Sequence, residues 1–117
     1  MTASQVTYDL LHQLGVSANY KGSAHTAYAV SLCIEHRERL LLVTKWLYPD
    51  VAKKYGTSWK AVERNIRTAS TVAWKRNRAL LEALAKRSLD RRLCSAEFLA
   101  LLLHAVLANG LQKSSNS

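Results

Sequence analysis

The sequence predicts an all-α fold, a compact bundle of about six helices that contains a helix-turn-helix. Apolar residues make up 49% of the 117 residues and charged residues 21%, which is the composition of a folded globular protein. The chain has one proline and four glycines, too few to supply the turns of a many-stranded sheet. Apolar residues recur at helical spacing along most of the chain. We therefore expect one helical domain over residues 1–117.

The first half of the chain predicts two helices. The first runs from about Thr7 to Leu14 and stops at Gly15, a residue favoured just after a helix end. Ser23 is a candidate N-cap for a long second helix that reaches about Arg39. The apolar run LLLVTKWLYPD that follows would also suit a strand, but no partner strands are evident. We interpret it as the end of one helix and the start of the next.

The middle of the chain, about residues 48–76, predicts the helix-turn-helix. Pro49 suits the first turn of a short helix, and Asp50 suits the positive end of its dipole. Gly56 ends that helix, and a Gly-Thr-Ser turn leads into a basic helix at about 58–76. A short helix, a tight turn and an Arg-rich second helix are the layout in which the second helix enters the major groove of DNA.

The remaining sequence predicts further helical structure. The stretch RALLEALAKRSLDRRL is helical but irregular in pattern. Ser95 opens a final apolar helix that reaches about Asn109, and Gly110 closes it. The polar tail at about 111–117 is expected to be frayed.

Charge is concentrated in the second half of the chain. Twelve of the 17 Lys and Arg residues lie between Lys53 and Arg92, opposed there by Glu63, Glu82 and Asp90. That stretch therefore carries a net charge of +9, the formal charge of the whole chain. A surface for a polyanion would be built from this half, although a solvated basic face is a common alternative.

The basic helix has two distinct faces. Its apolar stripe, expected to be buried, consists of Val62, Ile66, Ala69 and Ala73. The opposite face collects the polar residues. Arginine pairs bidentately with guanine, and Glu63 can accept from cytosine N4, so Glu63, Arg64 and Arg67 are the candidate base-reading residues. The candidate contacts to the DNA backbone are Lys53, Lys54, Ser58, Lys60, Thr68, Thr71 and Lys75. A simpler interpretation of Glu63 is an i, i+4 ion pair with Arg67, and both roles are compatible.

The sequence gives no support for catalysis, metal binding or membrane insertion. No nucleophile, phosphate-loop, dinucleotide or zinc-protease motif is present. His12, His25, His36 and His104 have no metal-ligand spacing, and Cys33 and Cys94 resemble small core residues of a reducing cytosol. The amino terminus does not resemble a secretory signal, and the apolar run from Phe98 is too short to cross a bilayer. We expect a cytoplasmic protein that needs no cofactor.

The segment LYPDVAKKYGTSWKAVERNIRTASTVAW, Leu47 to Trp74, resembles the C-terminal effector domain of the master sporulation response regulator, stage zero sporulation protein A. The similarity extends to LLHQLGVSANYKG and SAEFLALLL and so covers most of the chain. The resemblance implies an all-helical transcription regulator that binds short promoter boxes in double-stranded DNA. It also implies that Glu63 and Arg64 read bases, with Arg67 and nearby hydroxyl or amine groups on the backbone.

The chain departs from that family in three respects. Ala61 stands where the family has a base-reading arginine, and Trp59, Lys60 and Asn65 also differ, so the preferred box is expected to be altered. Residues 77–92 match poorly in a region that in the family helps to contact the RNA polymerase sigma subunit. No receiver domain is present in this sequence, so we expect an excised domain or a free-standing paralogue.

Two other functions compete with specific DNA binding. One is a protein-interaction module that keeps the fold without reading DNA. The other is a membrane-surface helix formed by WKRNRALLEALAKRSLDRRL, although its leucines are more simply explained as core. If DNA is the partner, two domains are expected side by side on repeated sites.

Overall fold

The computed structural model describes the backbone of residues 2–115 and the side chains of residues 2–109. It contains six α-helices and, within that range, no strand, which confirms the all-α expectation. The helices are α1 (Ala3–Gln13), α2 (Lys21–Glu35), α3 (Tyr48–Tyr55), α4 (Trp59–Arg76), α5 (Arg78–Ala85) and α6 (Ser95–Ser115).

Helix α1 begins four residues earlier than the sequence indicated. Thr2 accepts a hydrogen bond from the backbone N–H of Gln5, and the Gln5 side chain accepts from the backbone N–H of Thr2. This reciprocal capping box satisfies two amino-terminal donors and explains the early start. After Leu14 the chain turns at Gly15, whose φ of +91° lies in the left-handed region that favours glycine.

The predicted boundaries of α2 are wrong at both ends. The N-cap position is Tyr20, not Ser23; Ser23 is buried in the first turn, where its hydroxyl donates to the Ser17 carbonyl. The helix ends at Glu35, not near Arg39, and continues as a 3-10 segment, Arg37–Leu42, and a π turn, Val43–Leu47. The apolar run that was ambiguous in sequence is therefore a tight helical connection into α3.

The carboxyl-terminal third also differs in detail. Within the irregular stretch only Arg78–Ala85 is helical, because Lys86 takes a left-handed conformation with φ of 59° and ends the helix. Helix α6 begins at Ser95 as predicted, but Gly110 does not close it. A single glycine costs a helix about 1 kcal/mol, which flanking good helix formers can offset. Helix therefore replaces the predicted frayed tail up to Ser115, and residues 116–117 lie outside the described residues.

One apolar core joins the helices. Its largest fully buried side chains include Tyr48, Phe98, Leu11, Ile66 and Leu102, which come from four different helices. Tyr48 at the start of α3 shares a buried 2.6 Å hydrogen bond with the Ser95 hydroxyl at the start of α6. Burial raises the pKa of Tyr48 to about 12, so the phenol is neutral at physiological pH. The core thus fixes the first helix of the helix-turn-helix.

Candidate nucleic-acid interface

The turn between α3 and α4 is set by two residues. Gly56 ends α3 in the left-handed conformation, with φ of 63°. The backbone N–H of Thr57 donates to the Ala52 carbonyl at 2.9 Å, which satisfies the end of α3. Ser58 then caps α4 by accepting from the Ala61 N–H at 3.2 Å. The predicted helix-turn-helix is therefore present, with α4 at Trp59–Arg76.

Helix α4 is seated by the apolar stripe that the sequence indicated. Val62, Ile66, Ala69 and Ala73 are all 1% exposed or less. Ser70 is also fully buried, and its hydroxyl donates to the Leu93 carbonyl at 2.7 Å. The loop before α6 therefore covers the inner side of α4. The outer side, opposite this stripe, is left to solvent.

The three candidate base-reading residues lie close together on that outer side. Arg64 is exposed, with no carboxylate within ion-pair distance among the described residues. The guanidinium of Arg67 lies 3.8 Å from a carboxylate oxygen of Glu63, whose side chain is 26% exposed. The i, i+4 ion pair is thus present, and it holds Glu63 and Arg67 side by side. An ion pair this exposed contributes little to stability, so either partner is available to a ligand.

The hydroxyl candidates are already engaged within α4. Thr68 donates to the Arg64 carbonyl and Thr71 to the Arg67 carbonyl, each at 3.0 Å. A phosphate oxygen accepts hydrogen bonds, so each threonine would have to turn away from its own helix to bind one. Ser58 uses its oxygen as an acceptor for the cap, which leaves its own O–H to donate.

The lysine candidates surround the same surface. Lys53, Lys54, Lys60 and Lys75 are all exposed, and none takes part in an ion pair of the described residues. The ammonium of Lys54 lies 5.8 Å from the Tyr28 ring, and that of Lys60 lies 5.9 Å from the Trp59 ring. Lys75 lies roughly 22 Å along the helix axis from Lys60. The lysines therefore span the length of α4.

Several cations in the basic stretch are used by the fold instead. Arg76 donates to the Gly15 carbonyl, and Asn77 donates to the Gln13 carbonyl, so the end of α4 is tied to the end of α1. The guanidinium of Arg78 lies 4.3 Å above the Trp74 ring. Arg91 pairs with Glu97 at 3.1 Å. These contacts engage part of the positive charge of the stretch. Lys86, Arg87 and Arg92 stay exposed beyond α4, so the basic surface includes α3 and α4 but is not confined to them.

Sequence patterns missed the contribution of α2 to this surface. Gly22, in the first turn of α2, packs directly against the backbone of α4 at Asn65. With this close approach, Lys21 and Arg64 line one cavity at the edge of the outer face of α4. The sequence signal for this contact was Gly22 next to Lys21, because a glycine inside a helix can mark close packing.

The structure corrects the expectation that both cysteines are core residues. Cys94 is exposed, whereas Cys33 is buried, with a pKa raised to about 11 by burial. His25, in a cavity that Arg64 and Asn65 of α4 also line, is buried, and its Nδ1 has no hydrogen-bond partner.

The described residues contain no cluster of three or more His, Cys, Asp or Glu that could hold a metal ion. Among those residues, no helix is long and apolar enough to cross a membrane. In α5, the helix weighed as a membrane-surface element, Leu81 is fully buried and Leu80 is half-buried against the core.

A protein-family model described as "Sporulation initiation factor Spo0A C terminal" matches residues 7–106 of the 117. The matched range includes the whole helix-turn-helix, the loop that covers the inner side of α4, and the first twelve residues of α6.

Proposed function

Because the chain belongs to the family of the C-terminal domain of the sporulation initiation factor Spo0A, a DNA-binding regulatory domain, we propose that it binds double-stranded DNA sequence-specifically and regulates transcription. In this proposal α4 enters the major groove and α3 crosses the DNA backbone. Such a regulator acts in the cytoplasm, where the chromosome is accessible to it.

One observation carries the proposal: the amino-terminal half of α4 presents an exposed arginine beside a partly exposed Glu-Arg ion pair. Arg64, Glu63 and Arg67 lie within about one helical turn of one another, in the part of α4 that follows the left-handed turn at Gly56. Arginine offers a planar fork that matches guanine O6 and N7, and a carboxylate accepts from cytosine N4. A surface kept only for solubility has no need of this arrangement.

The lysines serve a different purpose in this proposal. Lys53, Lys54, Lys60 and Lys75 neutralise phosphates on either side of the groove, which contributes affinity without reading sequence. Ser58 donates its hydroxyl to a phosphate at the start of α4. Thr68 and Thr71 take part only if DNA draws their hydroxyls from the helix backbone. Ala61 leaves a gap where the family has an arginine, so the preferred box differs from the usual one.

Salt dependence of DNA binding tests this proposal. The purified protein would be titrated with a fluorescent duplex, selected from a random pool, over a range of NaCl concentrations. Log affinity should fall linearly with log salt, with a slope of about −0.9 for each phosphate neutralised. Lys60→Ala should reduce the slope by about one such contact. Arg92→Ala removes the same charge from the exposed loop before α6 and should leave the slope unchanged. Affinity that stays flat as salt rises would contradict the proposal.

A second candidate is a protein-interaction module. An exposed apolar patch favours it, since Leu41 is 83% exposed and Leu42 and Trp46 are about half exposed in the connection between α2 and α3. The discriminating observation is whether the protein binds any duplex at physiological salt. Binding to the selected duplex that is unchanged in Leu41→Ser and weakened in Arg64→Ala favours the DNA regulator.

A further inference from the structure

A cavity of about 370 Å³ lies beside the outer face of α4. The first turns of α2 contribute Lys21 and His25, the end of α3 contributes Tyr55, and α4 contributes Arg64 and Asn65. The packing of Gly22 on Asn65 fixes the distance between the two helices that form it. This cavity therefore opens at the edge of the surface assigned above to DNA.

The lining of the cavity is suited to an anion. It includes two cations, Lys21 and Arg64, and none of its residues carries a carboxylate. Helix α2 starts there without a capping side chain, because the Tyr20 side chain in the N-cap position accepts no hydrogen bond from the first turn. The Tyr20 carbonyl accepts from the Ser23 N–H at 3.0 Å, which leaves the N–H groups before Ser23 to face a ligand. Unsatisfied N–H groups and the positive end of a 15-residue helix both favour negative charge.

His25 supplies a second, independent indication of a ligand. The side chain is 5% exposed, and its Nδ1 is buried without any hydrogen-bond partner. The Tyr55 ring, 5.0 Å away between centroids, offers the imidazole packing rather than a carbonyl or carboxylate partner. Burial, and then the charge of Lys21, lower the pKa of His25, so the ring is neutral at physiological pH and keeps one N–H to donate. An unpaired buried polar group is costly unless binding satisfies it.

We propose that this cavity seats one phosphate group of the DNA backbone, held by Lys21 and the first turn of α2, with the His25 imidazole as a neutral donor. The inference rests on the proposed function and adds a second helix to the interface. In this arrangement α2 binds the backbone of one DNA strand while α4 lies in the major groove. Because Gly22 couples α2 to α4, the seated phosphate sets how deeply Arg64 enters the groove.

The test uses the selected duplex with a single neutral methylphosphonate moved along each strand in turn. The wild-type protein should bind more weakly when the methylphosphonate replaces the seated phosphate, near the end of the contact, because that group has lost its charge. In the Lys21→Gln variant, binding should no longer respond to a methylphosphonate at that position. The magnitude of the salt slope should fall by about 0.9. Affinity for the selected and the scrambled duplex should fall equally. Arg92→Gln, with the same loss of charge, should keep the wild-type pattern.

His25→Phe keeps a planar ring and removes the donor. It should reduce affinity several-fold and lessen the effect of the same methylphosphonate, with its fold verified by circular dichroism. If His25→Phe does not fold, the exposed Lys21→Gln variant decides the question. If Lys21→Gln kept the wild-type salt slope and the wild-type sensitivity to the methylphosphonate, the inference would be overturned and the proposed DNA binding would stand.

A free anion is the other source of the same chemistry, and inorganic phosphate is the probe for it. His25 ring resonances that shift with inorganic phosphate, together with a Lys21→Gln variant that binds duplexes normally, would overturn the assignment to the DNA backbone. A wild-type protein that binds no duplex at any salt concentration would instead refute the proposed function, and the inference would fail with it.

Discussion

Gly22 in α2 and Asn65 in α4 are in contact through their backbones: a β-carbon at position 22 would lie 2.2 Å from the Asn65 carbonyl oxygen. The same β-carbon would lie 3.2 Å from that of Ala69. No side chain can occupy this space without separating the two helices. The crossing of α2 over α4 therefore depends on glycine, and the position of the outer face of α4 depends on the crossing.

Gly22→Ala should destabilise the protein by about 1–3 kcal/mol, the usual cost of overpacking, although alanine in an open helix would stabilise it by up to about 1 kcal/mol. Urea unfolding would measure the change, and duplex binding should weaken with it. The matched control is Gly56→Ala, where a β-carbon meets nothing within 4 Å but φ is +63°. That variant should be destabilised only by the strain of placing alanine in the left-handed conformation, about 1–2 kcal/mol. A Gly22→Ala protein as stable as wild type would show that the helices can separate freely.

The buried hydrogen bond between Tyr48 and Ser95 should contribute measurably to stability. Tyr48→Phe leaves the Ser95 hydroxyl without its partner in a site that is only 6% exposed, which costs about 1–3 kcal/mol. Ser95→Ala should cost a similar amount, because it leaves the Tyr48 hydroxyl unpaired. The double variant should be less destabilised than the two single effects added together. Strict additivity in chemical denaturation would mean that the two groups are not coupled.

Sequence reasoning succeeded where structure is local and periodic. The stripe of Val62, Ile66 and Ala69 repeats at the helical period, and Gly56 is the residue that a left-handed helix end requires, so α4 and its turn were predictable. It failed at the connection between α2 and α3, because an apolar run such as LLLVTK has no period that separates a helix from a 3-10 segment or a π turn.

The candidate interface was predictable only in part, for the same physical reason. Lys60, Arg64 and Arg67 share one face of one helix, which sequence spacing reveals. Lys21 and His25 join that surface through a helix crossing some forty residues away in sequence, and no local pattern encodes such a crossing. The hydrogen bonds from Thr68 and Thr71 to their own helix were also missed, since the same side chains serve equally well as solvent-exposed donors.

His25 should make the protein less stable in mild acid. Its pKa is lowered in the folded state by burial and by Lys21, below the ordinary value of 6.5. The unfolded chain therefore binds the proton more readily, so this contribution is complete above pH 6.5 and is lost as pH falls below it. Lys21, Arg64 and Tyr55 line the same cavity, and none of them can offset a positive charge on the ring.

Urea unfolding of wild type and His25→Phe at pH 7.5 and pH 5 would measure this effect. The free energy of unfolding should fall more between the two pH values in wild type than in the variant. His104→Phe is the matched control, because it makes the same substitution at an exposed histidine outside this cavity. Equal losses in wild type and His25→Phe would show that His25 does not titrate abnormally.

Base reading by α4 is the central claim, and a competition assay with two variants tests it most directly. Arg64 lies on the outer face in the amino-terminal half of α4, and Lys75 lies near its end. The ratio of affinities for the selected and scrambled duplexes would be measured at one salt concentration. Arg64→Ala should lower the ratio, which corresponds to a loss of about 1–3 kcal/mol in the free energy of discrimination, mostly at one base pair. Lys75→Ala should weaken both duplexes equally and leave the ratio unchanged. An unchanged ratio in Arg64→Ala would contradict the account, because Arg64 would then not read bases.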